Sequence, residues 1–162
     1  MEMREARAMV KGLRSTEAEA PAGLAHAVMA EVGLVDSWTE IDGPIGALFV
    51  AWGANGVSAV ERAGDPAGFE SEYELRHGRP LQRVAQMPDR LHAQVEKRFQ
   101  GERGDGPPLD LDTLTEFEQA VLRKTMEIPY GEIRPYAWVA REIGRPRAVR
   151  AVGSALAGNP IP

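Results

Sequence analysis

A glycine- and proline-rich stretch, residues 101–108, constrains the fold more than any other part of this sequence. It reads Gly-Glu-Arg-Gly-Asp-Gly-Pro-Pro, a composition typical of a linker between separately folded units. Before it, strand and helix patterns are mixed, and after it every pattern is helical. We therefore predict an α+β fold in three parts: a helical N-terminal extension over residues 1–35, an α/β domain over residues 36–106 and a helical domain over residues 107–162.

The α/β domain is expected to contain a β-hairpin or a small sheet. Residues 46–52 are almost continuously apolar, and residues 57–61 alternate between apolar and polar. A Gly-Ala-Asn-Gly turn separates them, and its Asn-Gly step supplies the positive φ that a hairpin turn needs. Helical spacing predicts two further helices, over residues 65–77 and 88–99.

The helical domain has the outline of a helix-turn-helix. Its first helix begins at Thr115 and Glu118, which have the spacing of a capping box. Pro135 opens a second helix, and Pro146 opens a third that ends near Gly158. A short turn with glycine joins these last two helices, as in DNA-binding helix pairs.

One face of the last helix carries positive charge and small side chains. At 100° per residue that face holds Arg147, Arg150, Ala151 and Ser154, whereas Val149, Val152 and Leu156 share the opposite face. Arginine can contact phosphates or base edges, and small residues let a helix approach a groove closely. An ordinary solvated basic face explains the same pattern, so the pattern alone leaves both interpretations open.

Three nearby side chains also allow two interpretations each. Tyr136 lies on the apolar face of its helix and suits the core, but its place in the first turn also lets the hydroxyl reach a ligand. Asn159 follows Gly158, which is the chemistry of a helix cap and turn. Trp138 either packs partly exposed or makes a contact.

Composition excludes several classes of protein. No apolar run approaches the roughly 20 residues that span a bilayer, and the acidic N-terminus lacks the order of a signal peptide, so we expect no membrane and a cytoplasmic location. The sequence has no cysteine, and its histidines (His26, His77, His92) are scattered. No metal and no cofactor are therefore expected.

Charge is unevenly distributed along the chain. Residues 113–162 contain seven basic and five acidic side chains, a net charge of +2, and residues 1–112 carry a net charge of −7. Four of the seven basic groups lie within residues 141–150. Nucleic-acid affinity follows the local patch that meets phosphate, so an acidic whole chain does not exclude it.

Three motifs closely resemble the methylated-DNA–protein-cysteine methyltransferases, also called O6-alkylguanine-DNA alkyltransferases. They are Ile-Pro-Tyr-Gly-Glu at residues 128–132, Arg-Ala-Val-Gly-Ser-Ala at residues 150–155 and Asn-Pro-Ile-Pro at residues 159–162. The resemblance runs from about Thr115 to the last residue, and the hairpin region resembles the family's variable N-terminal domain more weakly. It implies a winged-helix-like DNA-binding domain in which the final segment is absent.

The resemblance also implies a function in DNA repair. Members of this family bind double-stranded DNA through the minor groove, flip O6-alkylguanine out of the stack and transfer its alkyl group to their own cysteine, with O4-alkylthymine as a further candidate substrate. Flipping is needed because the target atom is unreachable inside the duplex. The protein is expected to act as a monomer.

Specific residues acquire roles from this resemblance. Arg150 matches the finger that fills the gap left by the flipped base, Tyr136 matches the residue that assists rotation of the nucleotide, and Asn159 matches the hinge before the active-site segment. The implied DNA-binding residues are Tyr136, Arg147, Arg150, Ala151 and Ser154. Small residues that let the helix enter the groove are matched by Ala148, Ala151, Gly153 and Ser154.

The sequence departs from the family at the nucleophile. In the family, a Pro-Cys-His-Arg box follows Asn-Pro-Ile-Pro, but this sequence ends at Pro162 without any cysteine. No catalytic residue is therefore predicted, and the 162-residue chain is expected to be inactive. Three explanations compete. We favour the first, in which the chain is a piece of an alkyltransferase. The others are a natural truncation that keeps DNA binding and a cysteine-less lesion sensor.

The alternative function is accordingly a non-catalytic DNA-binding or lesion-sensing protein. If the absent segment normally covers the helix pair, the face that carries Val149, Val152 and Leu156 is expected to be exposed.

Overall fold

The computed structural model describes residues 24–102, 106–129 and 131–162. Residues 1–23 of the predicted helical extension lie outside this part of the chain. Within it, no helix is both long and apolar enough to cross a membrane. The elements are α1 (Leu24–Glu31), β1 (Asp36–Gly43), β2 (Gly46–Gly53), β3 (Gly56–Arg62), α2 (Pro66–His77), β4 (Leu81–Arg83), α3 (Asp89–Phe99), α4 (Glu116–Met126), α5 (Tyr136–Glu142) and α6 (Val149–Ala157).

The four strands form one sheet in the order β3-β2-β1-β4. The predicted hairpin is present as the antiparallel pair β2–β3, and β1 pairs with β2 in the same way. The positive φ of the hairpin turn belongs to Gly56, at 128°. The short strand β4 pairs with β1 in parallel, after the crossover through α2. The predicted α+β fold, with a small sheet followed by helices, is confirmed.

Strand β2 is apolar on both faces because a hydrophobic cluster lies on each side of the sheet. Phe49 and Ala51 belong to one cluster, in which the ring of Trp38 meets that of Phe49 edge-on at 4.7 Å. Val50 and Trp52 point the other way, into a cluster that includes Val95 of α3. A strand buried on both faces gives a continuous apolar run rather than an alternating one.

Helices α4, α5 and α6 surround a third cluster. Its buried members are Val121, Val139, Ala140, Val152 and Ala155. The expectation that the apolar face of α6 would be exposed is wrong: Val152 is fully buried, and Val149 and Leu156 pack against the same cluster. Helices α4 and α5 already cover that face, so no further segment is needed to bury it.

The start of α6 also differs from the expectation. The predicted helix began at Pro146, but α6 begins at Val149. The Ala148 amide donates to the Arg145 carbonyl at 2.8 Å, which closes a four-residue turn with Pro146 at its second position. Proline is favoured there because its ring presets φ, and so Pro146 starts a turn rather than a helix.

Candidate nucleic-acid interface

The outer face of α6 presents three of the four charged and small residues that the sequence predicted, Arg150, Ala151 and Ser154, whereas Arg147 lies in the turn before the helix. Arg147, Arg150, Ala151 and Ser154 are all exposed, while the opposite face packs on α4 and α5. The Ser154 hydroxyl donates to the Arg150 carbonyl at 3.3 Å, which turns this side chain back onto the helix. Neither arginine forms an ion pair within the described part of the chain. Both guanidinium groups are therefore available to an anion.

Tyr136 lies beside this face, at the first residue of α5. Its side chain is half exposed, at 51%, so the interpretation of Tyr136 as a core residue is wrong. A Cβ built on Gly153 would lie 3.2 Å and 3.3 Å from two ring carbons of Tyr136. The tyrosine ring thus packs against the backbone of α6 at Gly153.

The loop before α5 adds a cation that the sequence reasoning did not select. Arg134 is exposed and forms an ion pair with Glu132. Its guanidinium also lies 5.8 Å from the ring centre of Trp138, within the range of a cation–π contact. Trp138 itself is partly buried against the α4–α6 cluster, so its interpretation as a packing residue is correct. Ile133, just before Arg134 in the chain, is 91% exposed.

Asn159 organises the turn that follows α6. Its side-chain amide donates to the Ile161 carbonyl at 2.9 Å, and its side-chain oxygen accepts from the Ile161 amide at 2.9 Å. The cap of α6 is Gly158, whose amide donates back to Ser154. Asn159 therefore fixes the backbone after the helix rather than the helix end itself.

Two cavities meet at this turn. A groove of about 570 Å³ opens between β3, α3 and α4, and a smaller cavity of about 250 Å³ lies between β3 and α2. Asn159 lines both of them. The groove is lined by apolar side chains from both parts of the chain, including Val60, Val95, Phe99, Leu122 and Met126.

Charged side chains are exposed in and around the helix pair. In the described residues, no three histidine, aspartate or glutamate side chains come together in a way that could hold a metal ion. Five exposed arginines (Arg134, Arg141, Arg145, Arg147, Arg150) lie in and beside the helix pair, together with the exposed Glu132 and Glu142. Guanidinium groups match phosphates in charge and in hydrogen-bonding geometry.

Comparison with known proteins agrees with this geometry. Residues 116–162 match the family model described as the DNA-binding domain of 6-O-methylguanine DNA methyltransferase. The chain is 43% identical over 70 residues to a methylated-DNA–protein-cysteine methyltransferase of Mycobacterium leprae, a match that covers 43% of this chain and 42% of that protein. The inducible enzyme of that name from Bacillus subtilis is 47% identical over 47 residues, or 29% of this chain and 26% of the relative. The chain thus spans less than half the length of these curated relatives.

Solved structures give a longer match. The O6-methylguanine methyltransferase of Mycobacterium tuberculosis is 30% identical, with a TM-score of 0.61, and the match covers 78% of this chain and 73% of that one. A structure of Mycobacterium tuberculosis OGT in complex with DNA is 31% identical, with a TM-score of 0.60 over 77% of this chain and 71% of that one. Identity at this level over more than two thirds of a solved chain shows common descent as well as a common fold. This chain therefore belongs to the methylated-DNA–protein-cysteine methyltransferase family.

Proposed function

We propose that α5 and α6 bind double-stranded DNA through the minor groove, in a repair pathway that recognises O6-alkylguanine. One observation carries this proposal: the exposed ring of Tyr136 packs at Gly153 of α6, the helix that presents Arg150, Ala151 and Ser154 with Arg147 in the turn before it, and we call these exposed residues the strip. The match of residues 116–162 to a DNA-binding domain supports it. A relative solved in complex with DNA supports it further.

Within this strip, we assign three roles. Arg150 is the finger that enters the stack when the damaged base leaves, because it is exposed in the first turn of α6 and has no ion-pair partner in the described residues. Tyr136 contacts the rotating nucleotide from the first turn of α5. Asn159 is the hinge, since its two hydrogen bonds to Ile161 fix the chain direction after α6.

Alkyl transfer by these 162 residues is not part of the proposal. The family's nucleophile is a cysteine, and this sequence has none. We propose that the chain recognises and extrudes the lesion without itself accepting the alkyl group. The second candidate function is DNA binding or lesion sensing without repair.

The organisation of the chain is proposed from the sequence. We propose a cytoplasmic monomer with an extension over residues 1–35, an α/β domain over residues 36–106 and a DNA-binding domain over residues 107–162. The four basic side chains within residues 141–150 support the assignment of DNA contacts to the last of these parts.

Substitutions at Arg150 test the finger role. The measurement is the fluorescence of 2-aminopurine placed beside O6-methylguanine in a duplex, which reports base extrusion. Arg150→Ala and Arg150→Lys are both expected to abolish the fluorescence increase, because lysine lacks the planar guanidinium that replaces a stacked base. Overall affinity is expected to fall only modestly, since most of it comes from phosphate contacts.

Arg147→Ala is the matched control, because Arg147 is an exposed arginine of the same strip. If Arg147 contacts a phosphate, Arg147→Ala is expected to reduce the slope of log binding constant against log salt concentration by about 1. Base extrusion is expected to remain intact. If Arg150→Lys extrudes the base as well as the unmodified chain does, Arg150 is another phosphate contact and the finger role is wrong. An unmodified chain that does not bind duplex DNA would contradict the proposed function itself.

A further inference from the structure

The edge of strand β3 is hydrogen-bonded to the segment before α4 and to the segment after α6. Residues 107–112, here called the strap, lead into α4 and run along this edge. The Val57 amide donates to the Pro108 carbonyl at 2.8 Å, and the Asp110 amide donates to the Val57 carbonyl at 2.8 Å. Further along the same strand, the Val60 amide donates to the Pro160 carbonyl at 2.8 Å, directly after the hinge residue.

One guanidinium group ties the strap to the interior of the sheet. Arg79 Nε donates to Asp36 Oδ2 at 2.8 Å, and Arg79 Nη2 donates to Asp110 Oδ2 at 3.1 Å. Asp36 begins the inner strand β1 and Asp110 lies in the strap, and these two residues are 1% and 3% exposed. Arg79 thus joins three segments that lie far apart in the sequence.

The cluster of Arg79, Asp36 and Asp110 is hydrogen-bonded by a neighbouring side chain and lies where glycines leave space for it. The Tyr73 hydroxyl donates to Asp36 at 2.7 Å, and burial raises the pKa of Tyr73, so the phenol stays protonated as a donor. A Cβ at Gly53 would overlap Asp36 Oδ1, and a Cβ at Gly56 would overlap the Pro108 carbonyl oxygen. The hairpin therefore carries glycine at both places where the carboxylate and the strap approach it.

We propose that Arg79, through its ion pair with Asp110, positions the strap on β3 and so sets the placement of α4–α6 and the Asn159 hinge relative to the sheet. Burying two carboxylates around one cation is a poor way to gain stability, because desolvation offsets most of the attraction. A directional charged pair does, however, favour one arrangement of the groups it joins. The consequence for DNA binding rests on the proposed function; the positioning itself does not.

The test compares two variants with the same chemistry in the same cluster. Asp110→Asn weakens the link to the strap, whereas Asp36→Asn weakens the link to β1 and leaves the Arg79–Asp110 bridge. The chain has no cysteine, so Glu74→Cys in α2 and Glu142→Cys in α5 give two unique spin-label sites at exposed positions. Double electron–electron resonance then measures the distance distribution between the sheet part and the helix pair.

We expect Asp110→Asn to broaden this distribution about twofold and Asp36→Asn to leave it as narrow as in the unmodified chain, although both variants lower the melting temperature. Equal widths in the two variants, whether narrow or broad, would overturn the proposal, because the cluster would then only stabilise the sheet part. If Asp110→Asn does not fold, Arg79→Lys replaces it. Lysine keeps the cation but cannot bridge two carboxylates as a fork, so the same broadening is expected.

DNA binding gives a separate readout. Asp110→Asn is expected to weaken binding to O6-methylguanine duplex by about 3- to 10-fold, with an unchanged salt slope because no phosphate contact is lost. Unchanged affinity in a chain whose distance distribution has broadened would overturn the link to DNA. If the unmodified chain does not bind DNA, the proposed function fails, but the distance measurement still decides whether Arg79 positions the helices.

Discussion

Gly153 and Tyr136 show how a single missing side chain shapes the interface. By family resemblance, Gly153 is a small residue that lets α6 enter the groove. In the structure, the space at Gly153 is used by the ring of Tyr136, 3.2 Å from where a Cβ would be. Gly153 therefore makes room for the ring of a half-exposed tyrosine. This role and the role of admitting α6 to the groove predict different effects of a Gly153 substitution on base extrusion.

Gly153→Ala is expected to lower base extrusion without lowering the melting temperature. The added methyl group displaces the Tyr136 ring, while alanine favours the helix by about 1 kcal/mol over glycine. The measurements are 2-aminopurine fluorescence and thermal unfolding.

The control is the same substitution in a Tyr136→Ala background, where Gly153→Ala should have no further effect on extrusion. An equal loss of extrusion in both backgrounds would mean that the methyl group meets the DNA directly. The interpretation as a residue that only admits the helix to the groove would then be correct.

Among the elements, α4 has the most completely defined start. The Thr115 hydroxyl and amide donate to Glu118 at 2.7 Å and 2.9 Å, and the Glu118 amide donates back to Thr115 at 3.3 Å. The hydroxyl bond, followed by the backbone bond, lowers the pKa of Glu118. Because the charged form of Glu118 makes these hydrogen bonds, the stability of α4 and of the helices packed on it depends on pH.

The stability gained from this cap is expected to depend on pH in one direction. A carboxylate whose pKa is lowered by folding contributes fully above its ordinary value of 4.5, and the contribution is lost as pH falls through the lowered value. Thr115→Ala should cost about 1 kcal/mol at neutral pH.

Thermal unfolding between about pH 6 and pH 3 provides the measurement, with Glu118→Gln as the control because glutamine keeps the reach of the capping box without titrating. The difference in melting temperature between the unmodified chain and this variant should shrink as pH falls. A difference that stays constant over this range would contradict the assigned linkage.

Charge is unevenly distributed over the whole molecule. Residues 1–112 carry a net charge of −7 and contain the sheet, whereas residues 113–162 carry +2 and contain the helix pair. An acidic sheet part repels phosphate, so we expect DNA to approach from the helical side. The whole 162-residue chain also lacks a thiol.

Incubation with a duplex that carries radiolabelled O6-methylguanine is therefore expected to leave no label on the protein. Without a thiolate, the chain has no nucleophile suited to attack the methyl carbon at neutral pH. A cysteine-containing relative serves as the positive control under the same conditions. Label that remains on the 162-residue chain after denaturation would contradict the expectation.

Short-range features were predictable because local chemistry decides them. The hairpin followed from its turn residues, and α4 followed from the spacing of Thr115 and Glu118. The arginine face of α6 followed from helical periodicity, since about seven residues repeat the same two faces over two turns. Resemblance, rather than periodicity, supplied the roles proposed for Tyr136, Arg150 and Asn159.

The sequence by itself determined the mixed class of the fold, its hairpin, its helix pair and the exposed arginines, because each depends on neighbours within a few residues. Only the tertiary structure decided that β4 pairs with β1, that the strap runs along β3 and that Arg79 joins Asp36 and Asp110, which lie 43 and 31 residues away from it. Periodicity contains no information on such partners. They are selected when the folded chain removes both carboxylates from water and each must find a cation or a donor.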